Sequence, residues 1–162
     1  MEVNDFILKY GKRSNELQGK TAKPLEQYSF KMVKITIPQL LQESKFKEIA
    51  EKLLKIKNVE DNQNLINFAL WVGDEIEAIN KRESELLSTP PDAEMIQAGI
   101  HKLNTFGIIG TLESLSSNIL DWDKLLKLTY YDVFIKLLLN KTTNDIQKNY
   151  QKIMLEKSKQ RK

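Results

Sequence analysis

The amino-acid sequence predicts a nearly all-α fold: a single helical-bundle-like domain of about five to seven helices with an extended N-terminal arm. Three observations carry this expectation. An apolar stripe of Leu65, Phe68, Ala69, Val72, Ile76, Ile79 and Leu86 recurs at helical spacing over about 22 residues. Thr129 and Asp132 form a capping-box-like pair ahead of Val133, Phe134, Leu137 and Leu138, the signature of a second long helix. Finally, 162 residues with 41% apolar and 29% charged side chains suit one domain with a buried core and a solvated surface.

The elements follow in order. Residues 1–37 read as the arm: an apolar patch (Phe6, Ile7, Leu8, Tyr10) in a short helix, then a loop through Gly11, Gly19 and Pro24. Tyr28 to Ile37 then forms a β-like stretch in which Val33, Ile35 and Ile37 alternate. A lone strand cannot satisfy its own backbone, so this segment requires a pairing partner or must lie extended over helices. Residues 38–157 form the helical domain. Pro38 opens a helix that runs through Phe46, Ile49, Ala50, Leu53 and Ile56 to about Lys57, with Glu43–Lys47, Glu48–Lys52 and Glu51–Lys55 as i,i+4 pairs on its outer face. After the long Leu65–Leu86 stripe, Ser88-Thr89-Pro90-Pro91 ends the helix, because a residue before proline leaves α geometry and proline donates no backbone bond. Asp92 caps a helix carrying Ile96, Ile100 and Leu103 that Gly107 ends, and Thr111 caps another carrying Leu112, Leu115 and Ile119. Asp121-Trp122-Asp123 begins a further turn, and the helix from Thr129 is expected to bend or break at the polar patch Asn140–Asp145. Residues 158–162 form a basic disordered tail.

No catalytic or metal constellation emerges. The single histidine, His101, has only Glu94 nearby on a helical face, short of a zinc site, and no Gly-x-Ser-x-Gly elbow surrounds any serine. Asp61-Asn62-Gln63-Asn64 resembles the start of a calcium loop, but Leu65 and Ile66 stand where further ligands belong, and a helix N-terminus explains it better. Gly107-Ile108-Ile109-Gly110 has the spacing of an RNA-clamping GxxG loop with apolar residues in the centre, and reads as a helix–helix turn. Asp74, Glu75 and Glu77 read as solvated acids. The sequence therefore offers no catalytic residues, no metal ligands and no cofactor site.

Charge and cysteine content narrow the function class. Twenty-five basic against 22 acidic side chains give a net charge of +3, too even for a polyphosphate-seeking surface. Basic residues gather only in Lys157, Lys159, Arg161 and Lys162, a terminus that supplies the alternative reading of a nucleic-acid-binding accessory protein. The chain has no cysteine, no run of apolar residues long enough to span a membrane, and an acidic beginning unlike a signal peptide, which together read as cytoplasmic. Protein–protein contact, including contact with a second copy, is the class left. Within it Trp122, Tyr130, Tyr131 and Trp71 are the candidate anchors, because tryptophan and tyrosine combine large contact area with a polar tip. Adjacent tyrosines diverge by about 100° on a helix, so at least one of Tyr130 and Tyr131 is expected near solvent.

Residues Asp121–Leu138 (DWDKLLKLTYYDVFIKLL) carry a pattern formed by Trp122, Leu125, Leu128, Thr129, Asp132 and Val133, followed by a lysine-rich amphipathic tail. This segment resembles the C-terminal part of the small helical tail-assembly chaperones and related accessory proteins of tailed bacteriophages. The resemblance implies a nonenzymatic protein that holds tail components during assembly, or that stays in the virion, located in the host cytoplasm or the particle.

Overall fold

Two hydroxyl side chains begin two neighbouring helices, and the domain is built around that point. The computed structural model describes residues 12–60 and 62–160; the patch Phe6–Tyr10, together with Asp61, Arg161 and Lys162, lies outside them. Ser29 and Thr129 face each other in an isolated antiparallel bridge. The Phe30 N–H donates to the Leu128 carbonyl at 2.7 Å, and the Tyr130 N–H donates to the Tyr28 carbonyl at 2.8 Å. Each hydroxyl also accepts from the backbone N–H three residues on, Met32 for Ser29 (3.2 Å) and Asp132 for Thr129 (3.1 Å), as an N-cap does. The Phe30 and Tyr130 rings stack beside the bridge, centroids 6.4 Å apart.

Within Tyr28–Ile37, Tyr28 is extended and Ser29 forms the one bridge, but residues 30–37 are helical, contrary to the expected strand. Phe30, Val33, Ile37 and Leu40 lie on one helical face and are buried. Within it Met32–Thr36 is a π-helical turn that runs straight into α1, Ile37–Gln42. The Ile37 N–H reaches five residues back to the Met32 carbonyl. Pro38 supplies the physical reason: it has no N–H for the Lys34 carbonyl, and its ring crowds that carbonyl unless the turn widens.

The arm expected over residues 1–37 is thus a core element over its described part. Glu16–Leu17 (β1) and Lys20–Thr21 (β2) form a small hairpin whose Gln18 and Gly19 both have positive φ, the primed-turn geometry that glycine favours. Leu17, Ala22 and Leu25 seal one side of the core.

The helix expected from Pro38 to Lys57 is two helices. α1 ends at Ser44, whose φ is +55°, with Ser44 N–H bonded to Leu41 O and Lys45 N–H to Leu40 O, the Schellman pattern without a glycine. α2 (Phe46–Leu54) follows, and Glu43 pairs with Lys45 at 2.7 Å. α3 (Gln63–Leu87) is the expected spine: Asn62 caps it, accepting from the N–H groups of Asn64 and Leu65, and it buries Leu65, Phe68, Ala69, Val72 and Ile79.

Beyond the prolines, Asp92 caps α4 as expected, accepting from Met95 N–H, but α4 (Ala93–Gln97) is short and Gly99, at φ +87°, ends it. A 3₁₀ stretch, Ile100–Phe106, leads to α5 (Ile108–Leu115), which begins after Gly107, with Thr111 in its interior and not at its cap. A 3₁₀ turn, Ile119–Asp121, runs into α6 (Trp122–Lys127). α7 (Tyr130–Lys159) is one continuous helix, so the expected break at Asn140–Asp145 is absent; there Thr142 donates its hydroxyl to Leu138 O and Lys141 pairs with Asp145 at 2.7 Å, which satisfies these polar groups on the helix. The disordered tail expected from residue 158 is likewise helical through Lys159. The whole is nearly all-α, with seven α-helices and one two-stranded sheet among the described residues, and no described helix is long and apolar enough to cross a membrane.

The core draws on residues 17–79 and 130–134; residues 93–127 add one buried side chain, Leu112, with Ile108, Leu115, Trp122, Leu125 and Leu126 packed partly buried against the core. The middle of the chain is therefore peripheral.

Candidate interaction surface

The four expected anchors have four different surroundings. Tyr130 is 1% exposed. Its ring stacks between Phe30 and Phe134, centroids 6.4 and 6.0 Å away, and its hydroxyl donates to Glu83 Oε1 at 3.0 Å. A side chain so enclosed offers no area to a partner, and the binding role expected of it is replaced by a structural one. Burial pushes its phenol well above the ordinary tyrosine range, and the Glu83 carboxylate pushes it further.

Around Tyr130 lies a polar clamp that the sequence did not reveal. Glu83 accepts from Tyr130 and, through Oε2, from Lys34 Nζ at 2.7 Å, while Lys34 also reaches Asn80 Oδ1 at 3.2 Å. Arg82 donates to Glu26 and lies over the Phe134 ring, 5.4 Å from its centroid. These groups tie the N-terminal segment, α3 and α7 together. Nothing in the sequence marks Arg82 and Glu83 as clamp residues, because pairing across 47 to 56 residues leaves no periodic trace.

Tyr131 behaves as expected of one of the pair: it is 52% exposed. It borders a shallow depression with Lys23, Pro24 and Gln27. Trp122 is half-buried against the core edge, and its indole N–H donates to Ser116 O at 3.0 Å, closing the 116–122 loop. Of the two aspartates flanking Trp122, Asp123 is exposed and Asp121 accepts from Lys124 at 2.9 Å, which holds its carboxyl below the usual range. Trp71 is half-buried, tilted against Phe68 with centroids 5.6 Å apart. Lys157 and Lys159 are exposed on the last turn of α7. His101 is exposed on the 3₁₀ stretch, and no group of three or more His, Cys, Asp or Glu side chains able to hold a metal occurs among the described residues.

Apolar side chains lie outward in two places. Ile96, Leu103, Phe106, Ile109, Ile119 and Leu120, all in the peripheral middle of the chain, are 46% to 79% exposed. On α7, Tyr131, Ile135, Leu139, Ile146, Tyr150 and Ile153 are 43% to 64% exposed. Both sets escaped the sequence reading for one reason: apolar periodicity marks a face without stating which neighbour covers it. Between the regions, Pro90, Pro91, Met95, Ile100, Lys152 and Leu155 line an open groove of about 850 Å³.

Compared with family models, curated proteins and solved structures, the chain matches none of them.

Proposed function

We propose that this chain is a nonenzymatic protein-contact protein that offers the apolar side chains of residues 95–120 to assembling or aggregation-prone partners. One observation carries the reading: a segment of some 25 residues buries only Leu112, packs Ile108 and Leu115 partly against the core, and turns seven large apolar side chains outward. Monomeric proteins keep such surface small, and larger exposures mark contact sites. The likeness of Asp121–Leu138 to phage tail-assembly chaperones gives the reading its setting, in which the partner is a tail or virion component.

An aggregation assay tests it. A chemically denatured client diluted into buffer scatters light; the wild-type chain is expected to suppress that scattering near stoichiometric ratio, with little dependence on salt, and the Leu103→Ser/Phe106→Ser variant is expected to lose the effect while keeping its helical circular dichroism. The reading fails if the wild-type chain leaves scattering unchanged. It also fails if the chain binds DNA or RNA with a steep salt slope that vanishes on deletion of residues 157–162, the behaviour of counterion release.

A further inference from the structure

The outer face of α7 has the spacing of a self-complementary surface, and we infer that two copies of this chain pair antiparallel through it. The inference rests on the protein-contact reading but uses a different surface. At about 100° per residue, Tyr131, Ile135, Leu139, Ile146, Tyr150 and Ile153 fall within an arc of about 100°, centred roughly 160° from the buried face of Tyr130, Val133, Phe134 and Leu137. The helix therefore carries two apolar faces, and the fold covers one of them over residues 130–138; beyond that stretch Met154 and Leu155, 48% and 61% exposed, lie off the strip.

A second copy is the occupant that the pattern fits. A two-fold contact must be its own complement. Read from either end, the positions 131, 135, 139, 142, 146, 150, 153 and 157 repeat nearly the same steps of three and four. Placing the axis near Asn144 sets Ile135 against Ile153, Leu139 against Tyr150 and Thr142 against Ile146 of the other copy. The same register brings Asp132, in the first turn, beside Lys157, in the last, on one flank, and opposes the two helix dipoles. From Tyr131 to Ile153 the strip is about 33 Å long on a helix about 10 Å across. That footprint, about 330 Å² per partner, is smaller than the roughly 800 Å² of a standard interface, so the pairing belongs to the weak, concentration-dependent class.

Light scattering coupled to size exclusion, run on the full chain at about 100 µM, reads the outcome. The wild-type mass is expected at twice the 18.8 kDa of one chain, and Ile146→Asp is expected at the single-chain mass with unchanged helical circular dichroism, since that side chain is exposed. The chain has no cysteine, so orientation can be read by disulfide trapping. Mixed Ile135→Cys and Ile153→Cys proteins should cross-link to each other, and Ile135→Cys alone should not. A wild-type chain of single mass, whether free or bound to lipid vesicles, overturns the proposal. So does a dimer that survives Ile146→Asp, or an Ile135–Ile135 cross-link in place of the mixed one. None of these results depends on client suppression, so the two proposals fail separately.

Discussion

Tyr130 and Tyr131 are neighbours with opposite fates, and the difference lies in what the rest of the chain brings to each. Their divergence was legible from helix geometry; which of the two goes inward was not, because that depends on Phe30 and Glu83, both distant in sequence. Tyr130→Phe keeps the stacked ring but removes the donor to Glu83, and should cost about 1–2 kcal/mol in urea denaturation, whereas Tyr131→Ala should stay within about 0.5 kcal/mol when measured at concentrations below self-association. The raised phenol of Tyr130 also fixes a sign. Its folded form holds the proton more tightly than the unfolded chain does, so its contribution is fully present below about pH 10 and is lost as pH rises above that value. Denaturation midpoints followed from pH 8 to 11 should fall less steeply in Tyr130→Phe than in the wild type; equal slopes would remove Glu83 and burial as the cause.

At the scale of elements, most caps and breakers were readable, Thr111 and Gly107 being the exceptions. Thr129, Asn62 and Asp92 cap helices and the Ser88–Pro91 stop holds, each a local chemistry visible in three or four residues. Errors arose where a distant contact decided. Tyr28–Ile37 has β-branched composition, yet Phe30, Val33, Ile37 and Leu40 already stood at helical spacing, and burial against α7 favours that face over local preference. The hinge at Ser44 lacked the glycine that usually announces one. The paired caps give a sharp expectation: Ser29→Ala and Thr129→Ala should each cost about 0.5–2 kcal/mol. Because both residues share one bridge, the double variant should depart from additivity by about 0.5 kcal/mol or more in a double-mutant cycle. Strict additivity would mean that the two helix starts form independently.

For the whole molecule, the class of fold was legible and the location of its core was not. Amphipathic stripes mark helices, but the described part of an expected arm proved to be core, and residues 93–127 of the expected helical domain proved to be periphery. One consequence is separability: Leu103→Ser and Phe106→Ser, 63% and 55% exposed in the native chain, should each shift thermal stability by no more than about 0.5 kcal/mol, whereas Phe134→Ala should cost about 3–5 kcal/mol. Comparable losses would place residues 95–120 inside the cooperative core and remove the free surface on which the contact function depends.

Native-state hydrogen exchange tests that division most directly, because it reads the opening free energy of each segment in the intact chain. The bridge amides of Phe30 and Tyr130, with those of Val33, Ile37 and Val133, should exchange together at the limit set by global unfolding, while the amides of residues 95–120 exchange through far smaller openings. If residues 28–40 exchange as fast as an unpacked arm, or residues 95–120 prove as protected as α3 and the start of α7, the division into an N-terminal core and an outward contact segment is contradicted.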